Sequence, residues 1–562
     1  MSALFKVATG ACLGLSLILL PVSGVQAAPV TDILLEANPA SSWLHANGNW
    51  AAYRYSELRQ INPANAGDLG AAWVFNSGAK NDPQMTPLYH DGLVYYAQDN
   101  QLWALDGGTG RVVWKYTHEI PEDYGGYNAD FVLGKHRGVA IMGETVFMLS
   151  TDSKLHGVDY KTGEQKFVKQ YLTYPKDFEM AEDSNGYAIT VGPLAILGQI
   201  IVPLNATDFG GLPGFVDGVN PCTGESNWRA NMIPGPGEPG ADTWPGNSAD
   251  YGGAGPWMTG SWDAELERYF TGTANAYPWN PAGRGGGKED NVGAASLVAI
   301  NTSDGSVAWR YTAVPGDPWD YDTQQTPLII DVNGKKTIVH PNKTGFIHYL
   351  DIDTGRFLRA TPFADKITWV EGYDRNGRPI NQIALPIEGG DQVEVYPALF
   401  GGTNMYPHSY SPLTGLIYLA AANNGMMYGF EKIQVISNVR HFGATMEFMF
   451  GYEVNLAMDA NSGKEVWRDQ KSLPGYSGGM FSTAGDIVAY VSANGDATVT
   501  NSSTGEILWT FNMGATGKAG GITYMHDGTQ YILQSAGGIQ GFGNEAHPHS
   551  AGGGYLIAFT LR

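Results

Sequence analysis

Short apolar runs alternate with polar, glycine-bearing turns along almost the whole chain. Seven stretches share one grammar: "ALDGGTGRVVWKY" (104–116), "GVDYKTGEQKFVK" (157–169), "GVNPCTGESNWRA" (218–230), "AINTSDGSVAWRY" (299–311), "YLDIDTGRFLRA" (349–360), "AMDANSGKEVWRD" (457–469) and "VTNSSTGEILWTF" (499–511). An apolar run leads into a polar turn ending in Gly, and a second run follows, often with a Trp four residues after that Gly. Short runs of this kind predict strands, and the Gly supplies the positive φ a tight turn needs. Each copy therefore predicts a β-hairpin whose Trp, at 114, 228, 309, 467 or 509, packs on a sheet face. Runs such as "GLVYYAQ" (92–98) and "DIVAYVSANG" (486–495) predict further strands of the same size.

The turn glycines recur mostly every 40 to 80 residues or so, close to one four-stranded unit plus insertions. The architecture this predicts is all-β: a propeller closed on itself, with no domain boundary inside residues 28–562. A sandwich or a parallel β-helix competes, but recurrent Trp and irregular spacing favour radial blades. The composition fits, since 75 Gly, 31 Pro and 12% aromatics beside only 16% charged residues describe neither a helical bundle nor a disordered chain. In a propeller, loops from several blades line one central channel, so residues remote in sequence can converge there.

At the N-terminus, Lys6 precedes an apolar run, and "VQA" stands just before Ala28. Residues 1–27 read as a secretory signal, which predicts a periplasmic protein; the competing membrane anchor would need a longer run. Removing the segment takes away Cys12 and shifts the formal charge from -22 by the loss of Lys6. An acidic chain of this kind argues against nucleic acid or an anionic membrane as partner and suits a basic protein. No C-x-x-C-H motif is present, so no c-type haem is attached to this chain.

Segments that break the repeat are where chemistry is expected. The longest, about residues 205–295, reads as an ordered glycine-rich loop packed over something flat. Within it Trp257 follows "GGAGP", where small residues would let a planar ligand approach, although another core Trp would read the same way. Asn275 in "GTAN" offers a neutral oxygen suited to a hard cation or to a capped turn, and Thr207-Asp208 in "TDFGG" has the same two readings. In "GDPWDYDTQQTP" (316–327), Asp320 and Asp322 are odd choices for a core strand, because a buried unpaired carboxylate is costly. They suit a hard metal ion or a general base, and equally a surface turn. Lys343 lies between two strand-like runs, as a functional ammonium or a solvated hairpin lysine; Asn404 in "FGGTNMYP" is again Gly-supported. His547 and His549 have no matching ligand cluster in sequence and predict no zinc site.

Taken together, "YSELRQINPANAGDLGAAWVF", "MTPLYHDGLVYYA", the Trp-bearing repeats, "GTAN…PWN", "WDYD", "NKTGFIHYLD" and "GGTN…YSP-TGLIY" resemble the pyrroloquinoline quinone (PQQ)-dependent alcohol dehydrogenases over roughly residues 45–560. The resemblance implies an eight-bladed propeller binding PQQ and a Ca2+ or lanthanide ion. It implies that Trp257 stacks on the quinone, that Asn275, Asp320 and Asp208 hold the metal, and that Asp320 is the catalytic base. Lys343 would hydrogen-bond the reactive quinone carbonyl, while Arg137, Asn404, Gln84 and Thr207 would contact the cofactor. Related enzymes that use lanthanides carry a carboxylate two positions after the base, where Asp322 stands here.

Departures from the family pattern are also visible. Asp208 replaces the usual Glu, Gln84 stands where Glu is common in the methanol-oxidising branch, and Phe131 and Val132 occupy the place of an adjacent Cys pair. Lys343 rather than Arg also points away from the methanol-oxidising branch. The expected activity is oxidation of a small-molecule alcohol, with electrons passed to a separate soluble acceptor, a cytochrome c. A cofactor-free propeller scaffold and a PQQ-dependent sugar or aldehyde dehydrogenase are the alternatives. Met405, Tyr406, Tyr476 and the loop 119–135 are candidates for the entrance, with room for a bulky alcohol.

Overall fold

The computed structural model describes residues 29–79, 83–120, 134–170, 189–204, 212–432, 443–472, 474–537 and 554–562. Strands dominate, and seven four-stranded sheets and one five-stranded sheet carry most of them. The first of these in chain order joins Leu88–His90, Leu93–Gln98, Gln101–Asp106 and Val112–Thr117, each antiparallel to the one before. Most of the others repeat this plan with four consecutive strands. One sheet is interrupted: between Leu416–Ala422 and its partner Glu453–Asp459 the chain makes Gly425–Phe430 and Ala444–Met449, and Gly425–Phe430 pairs with Ala444–Met449 on one side and Val393–Val395 on the other in a small separate sheet. The last sheet borrows Leu69–Asn76 from near the start of the chain and pairs it with Gly554–Leu561.

Among its described residues, the segment around 205–295, expected to be an ordered glycine-rich loop around the hairpin at 218–230, is mostly irregular but carries four strands. Phe215–Val219, Ser226–Asn231, Ser261–Asp263 and Arg268–Gly272 are strands in two adjoining repeats. Gly and Asp in "FVDGV" hid the first of them. Both are accounted for locally: the buried Asp217 carboxylate takes a two-pronged contact from Arg229 at 2.8 and 2.9 Å, and the Trp228 ring fills the space above Gly218.

The recurrent Trp does more than cover its own sheet. Each indole N–H reaches the following repeat: Trp73 donates to Gly107 O (3.0 Å), Trp114 to Tyr160 O (3.1 Å), Trp228 to Thr302 O (2.9 Å), Trp309 to Ile352 O (3.1 Å) and Trp467 to Ser502 O (2.9 Å). Its ring lies against the turn glycine of that repeat, so closely that a Cβ on Gly110, Gly163, Gly305, Gly355 or Gly505 would stand 2.5–2.7 Å from an indole carbon. Glycine is needed here twice over, for its positive φ and for this approach. Where the motif lacks Trp, other groups bridge the gap: Phe167 lies under Gly224, and Arg359 donates to the carbonyls of Ala460 and Asn461. Trp509 closes the series by donating to Leu69 O at 3.1 Å. An indole buried in this way removes enough apolar surface to contribute about 4 kcal/mol of gross transfer free energy.

Truncation of one such ring is expected to be expensive. Trp114→Ala should lower stability by about 3–5 kcal/mol, read as a shift in urea midpoint, and Trp114→Phe should recover much of the loss. An unchanged midpoint in Trp114→Ala would remove this contact as the link between repeats.

Burial also fixes the charge state of several histidines. His45, His136 and His408 are fully enclosed, and desolvation pushes each down to about 4. His136 Nε2 accepts the Asn100 N–H at 3.0 Å, a bond only the neutral ring can make. A folded-state value below the ordinary 6.5 means that the unfolded chain takes up protons first on acidification. Stability from these three rings should therefore be complete above pH 6.5 and fall as the pH drops towards about 4. Thermal melts across that window should show the decline, and replacing His136 by Gln should flatten it.

Candidate functional site

Lys343 sits in the turn between the paired strands Lys335–Pro341 and Phe346–Asp351. Polar groups nail this turn in place. Asn342 Oδ1 accepts the Thr344 N–H at 3.1 Å, and the Asn342 amide nitrogen lies 2.8 Å from His348 Nδ1. The Gly401–Gly402 backbone presses against it: Gly402 N donates to Lys343 O at 3.0 Å, and a Cβ on Gly401 would stand 2.4 Å from Lys343 Cα. The outcome is a lysine only 3% exposed, which excludes the solvated hairpin lysine.

Its ammonium faces the "WDYD" segment. Lys343 Nζ lies 2.8 Å from Asp320 O, 3.4 Å from Asp320 Oδ2 and 2.7 Å from Asp322 Oδ2. Burial on its own would push the lysine down, but the carboxylates of Asp320 and Asp322 outweigh it and hold the group above the ordinary lysine range. Both aspartates are buried, so the surface-turn reading fails as well. Asp320 adopts φ +62°, a left-handed conformation that costs a non-glycine residue on the order of 1 kcal/mol or more and marks sites whose surroundings impose it.

Those surroundings are visible. Asp317, three residues earlier, accepts the Trp319 N–H (2.9 Å) on one carboxylate oxygen and the Tyr321 N–H (2.8 Å) on the other. Burial raises the Asp317 carboxyl to about 6, against the pull of these N–H groups and of Arg284. Tyr428 donates to Pro318 O at 2.6 Å, and the Tyr321 hydroxyl donates to Pro397 O.

Asn275 joins this group from the neighbouring repeat. Its N–H donates to Asp322 Oδ1 at 2.7 Å and its amide nitrogen to Ala276 O at 3.0 Å. The side-chain oxygen, Oδ1, is buried and has no hydrogen-bond partner. Asn275 O in turn accepts the Ala254 N–H at 3.1 Å, and Gly253 bridges Ala276, which stitches the loop carrying Trp257 to the same spot. Gln324 ties the two ends together, accepting the Trp257 N–H at 2.8 Å and donating to Gly255 O at 2.9 Å. Half-buried Trp257 has the Arg137 guanidinium 4.8 Å from its ring centroid, and Arg137 also donates to the Thr190 hydroxyl.

Lys343, Asp320, Asp322 and Asn275 are thus in direct contact, and Trp257 and Arg137 form a second group joined to them through Gln324. Asn404 spends its amide on its own loop, donating to Phe400 O at 2.9 Å and accepting the Met405 N–H at 2.7 Å. Gln84 is half-buried with an unpartnered Oε1. Thr207, Asp208, Phe131, Val132, His547 and His549 lie outside the described residues, as does residues 1–27. Among the described residues no three His, Cys, Asp or Glu side chains make a metal cluster by themselves.

Asp317, Arg284 and Gln324 were not singled out in the sequence. Asp317 had a local signal, an aspartate positioned to accept later N–H groups in a Pro-rich turn. Arg284 and Gln324 had none.

Comparison with known proteins finds relatives over most of the chain. Residues 43–361 match the profile described as the glucose/ethanol/alcohol dehydrogenase β-propeller domain of the PQQ type, and residues 453–546 match one described as outer membrane protein assembly factor BamB. The quinoprotein alcohol dehydrogenase PedH of Pseudomonas putida is 31% identical over 517 residues, 86% of this chain and 84% of the relative. The quinohemoprotein alcohol dehydrogenase of Comamonas testosteroni is also 31% identical, over 94% of this chain and 77% of its own. Its crystal structure superimposes with a TM-score of 0.83 at 28% identity, covering 95% of this chain and 82% of that one. A europium-containing methanol dehydrogenase gives 0.85 at 27% identity, covering 94% of this chain and all of that one. The chain belongs to the family of PQQ-dependent β-propeller alcohol dehydrogenases.

Proposed function

We propose that this protein is a periplasmic quinoprotein, an eight-bladed propeller that oxidises an alcohol to an aldehyde or ketone and passes electrons to a separate soluble cytochrome c. The cyclic order of contacts supports the blade count, since each of the eight large sheets touches the next and Trp509 returns to Leu69. Relatives named as alcohol dehydrogenases, among them a 1-butanol dehydrogenase (cytochrome c) of Thauera butanivorans, support the reaction and the acceptor. Net charge -22 suits a basic redox partner. Among the described residues no helix is long and apolar enough to cross a membrane.

The observation that carries the reading is the buried, unpartnered Oδ1 of Asn275 beside two buried carboxylates. An oxygen acceptor left without a donor fits a hard cation, and Asn275, Asp320 and Asp322 would hold one, with Asp208 completing the set. Trp257 offers the indole against which a flat quinone would rest. Arg137, Asn404, Gln84 and Thr207 would meet the quinone's polar groups. When bound, PQQ would supply the hydride acceptor for alcohol oxidation and the metal would supply Lewis acidity.

The protein's own residues supply the rest. Asp320 Oδ2 takes the hydroxyl proton of the alcohol as general base. Lys343, 3.4 Å from that oxygen, favours its ionised form and so returns the base to readiness after each turnover. Burial keeps water from the carboxylate and strengthens both effects. A propeller serving only as a scaffold gains nothing from enclosing Lys343, Asp320 and Asp322 together. Asp322 adds an anionic oxygen beyond what a divalent ion needs, so a lanthanide is the proposed metal.

Apoprotein reconstituted with PQQ and lanthanum should show a cofactor absorption band and reduce dye with primary alcohols; no bound quinone with any metal would return the protein to the scaffold reading. Asp320→Asn should keep the band and lose about 10²- to 10⁴-fold in kcat. Turnover with calcium should fall below that with lanthanum, and Asp322→Ala should erase the difference. Equal activity with both ions in the unaltered protein would remove Asp322 as the selector.

A further inference from the structure

We propose that Asp317, anchored by Arg284, is a positioning residue that holds Asp320 in its working conformation; this rests on the catalytic reading of Asp320 above. Residue 320 stands at φ +62°. Enforcement comes from its two neighbours. The N–H groups of Trp319 and Tyr321 bracket residues 319 and 320, and both donate to the one Asp317 carboxylate, at 2.9 and 2.8 Å. The two-oxygen clasp holds the peptide plane before Trp319 and the one after Asp320, and so restrains the backbone dihedrals of residues 319 and 320 that lie between them.

The clasp would be of little use on a mobile base, and it does not have one. Asp317 N donates to Val314 O at 3.2 Å, and Asp317 O accepts from Arg284 Nη2. Arg284 is completely buried and spends its remaining donors on Pro278 O (2.7 Å), Trp279 O (3.2 Å) and Asn291 Oδ1 (2.6 Å). Residues 278 and 279 follow Asn275 by only a few positions. One guanidinium therefore joins the loop bearing the base to the loop bearing Asn275, and sets the two oxygen donors relative to each other. Lysine has a single point of attachment and cannot do this.

The test uses Asp317→Ala and Asp317→Asn, the second keeping one acceptor oxygen. Terbium added to the metal-free protein reports on the site without turnover, through emission sensitised by nearby aromatic rings. Asp317→Ala should bind terbium about tenfold more weakly and lose about 10- to 100-fold in kcat with KM unchanged, and Asp317→Asn should fall between it and the unaltered protein. A crystal structure of Asp317→Ala should show residue 320 outside the left-handed region. Unchanged terbium affinity and kcat, or residue 320 still at positive φ, would overturn the assignment. Failure of the unaltered protein to bind terbium or PQQ would instead sink the catalytic reading, and the backbone at residue 320 would still decide the positioning role. Should Asp317→Ala not fold, Asp317→Asn carries the same readouts.

Discussion

The contact between an indole and the left-handed glycine of the next hairpin governs the rest of this molecule. It is a geometric constraint as much as a favourable one, because the ring fits only where no Cβ exists and its N–H reaches only one carbonyl. Repeated from sheet to sheet, it sets the angle at which each repeat meets its neighbour. Loops from Asn275, Asp320 and Lys343, which belong to two adjoining sheets and the connection between them, are brought together by that fixed angle and joined by their own ion pairs and hydrogen bond.

What those loops then build would be unfavourable in most proteins. Three charged side chains and an unpaired amide oxygen are enclosed with almost no access to water. Removing ions from water costs several kcal/mol each even after relaxation, so the arrangement persists because every carboxylate has a donor and the backbone around it is independently held. Lys343 meets both aspartates, Asn275 N meets Asp322, and Arg284 meets only neutral oxygens while staying within reach of Asp317. Such a site is stiff before any ligand arrives, which is the condition for a fixed electrostatic environment to act on a reacting group.

The sequence disclosed the repeat unusually well, since Gly and Trp four residues apart mark a turn and the ring that locks it. Strands such as Gln101–Asp106 and Phe346–Asp351 followed directly from their apolar runs. The strands Phe215–Val219 and Ser261–Asp263 were less legible, because Asp217 and Gly218 are unusual strand residues whose partners, Arg229 and Trp228, stand on the neighbouring strand. The same limit applies at the site. Asp320 and Asp322 were legible as residues out of place in a strand, and Asn275 and Lys343 as polar residues in Gly-bearing turns, whereas their burial was not, and each also fitted a simple turn. Arg284 and Gln324 were invisible, for a side chain that bonds main-chain oxygens leaves no mark in composition or spacing.

The last sheet has a consequence of its own. Because Leu69–Asn76 pairs along its length with Gly554–Leu561, the strand made early during synthesis must wait for almost the entire remainder before its partner exists. Until then its edge stays open and able to recruit the wrong neighbour. Contacts so distant along the chain slow the final step of assembly, and they tie the two ends of the strand series into one sheet.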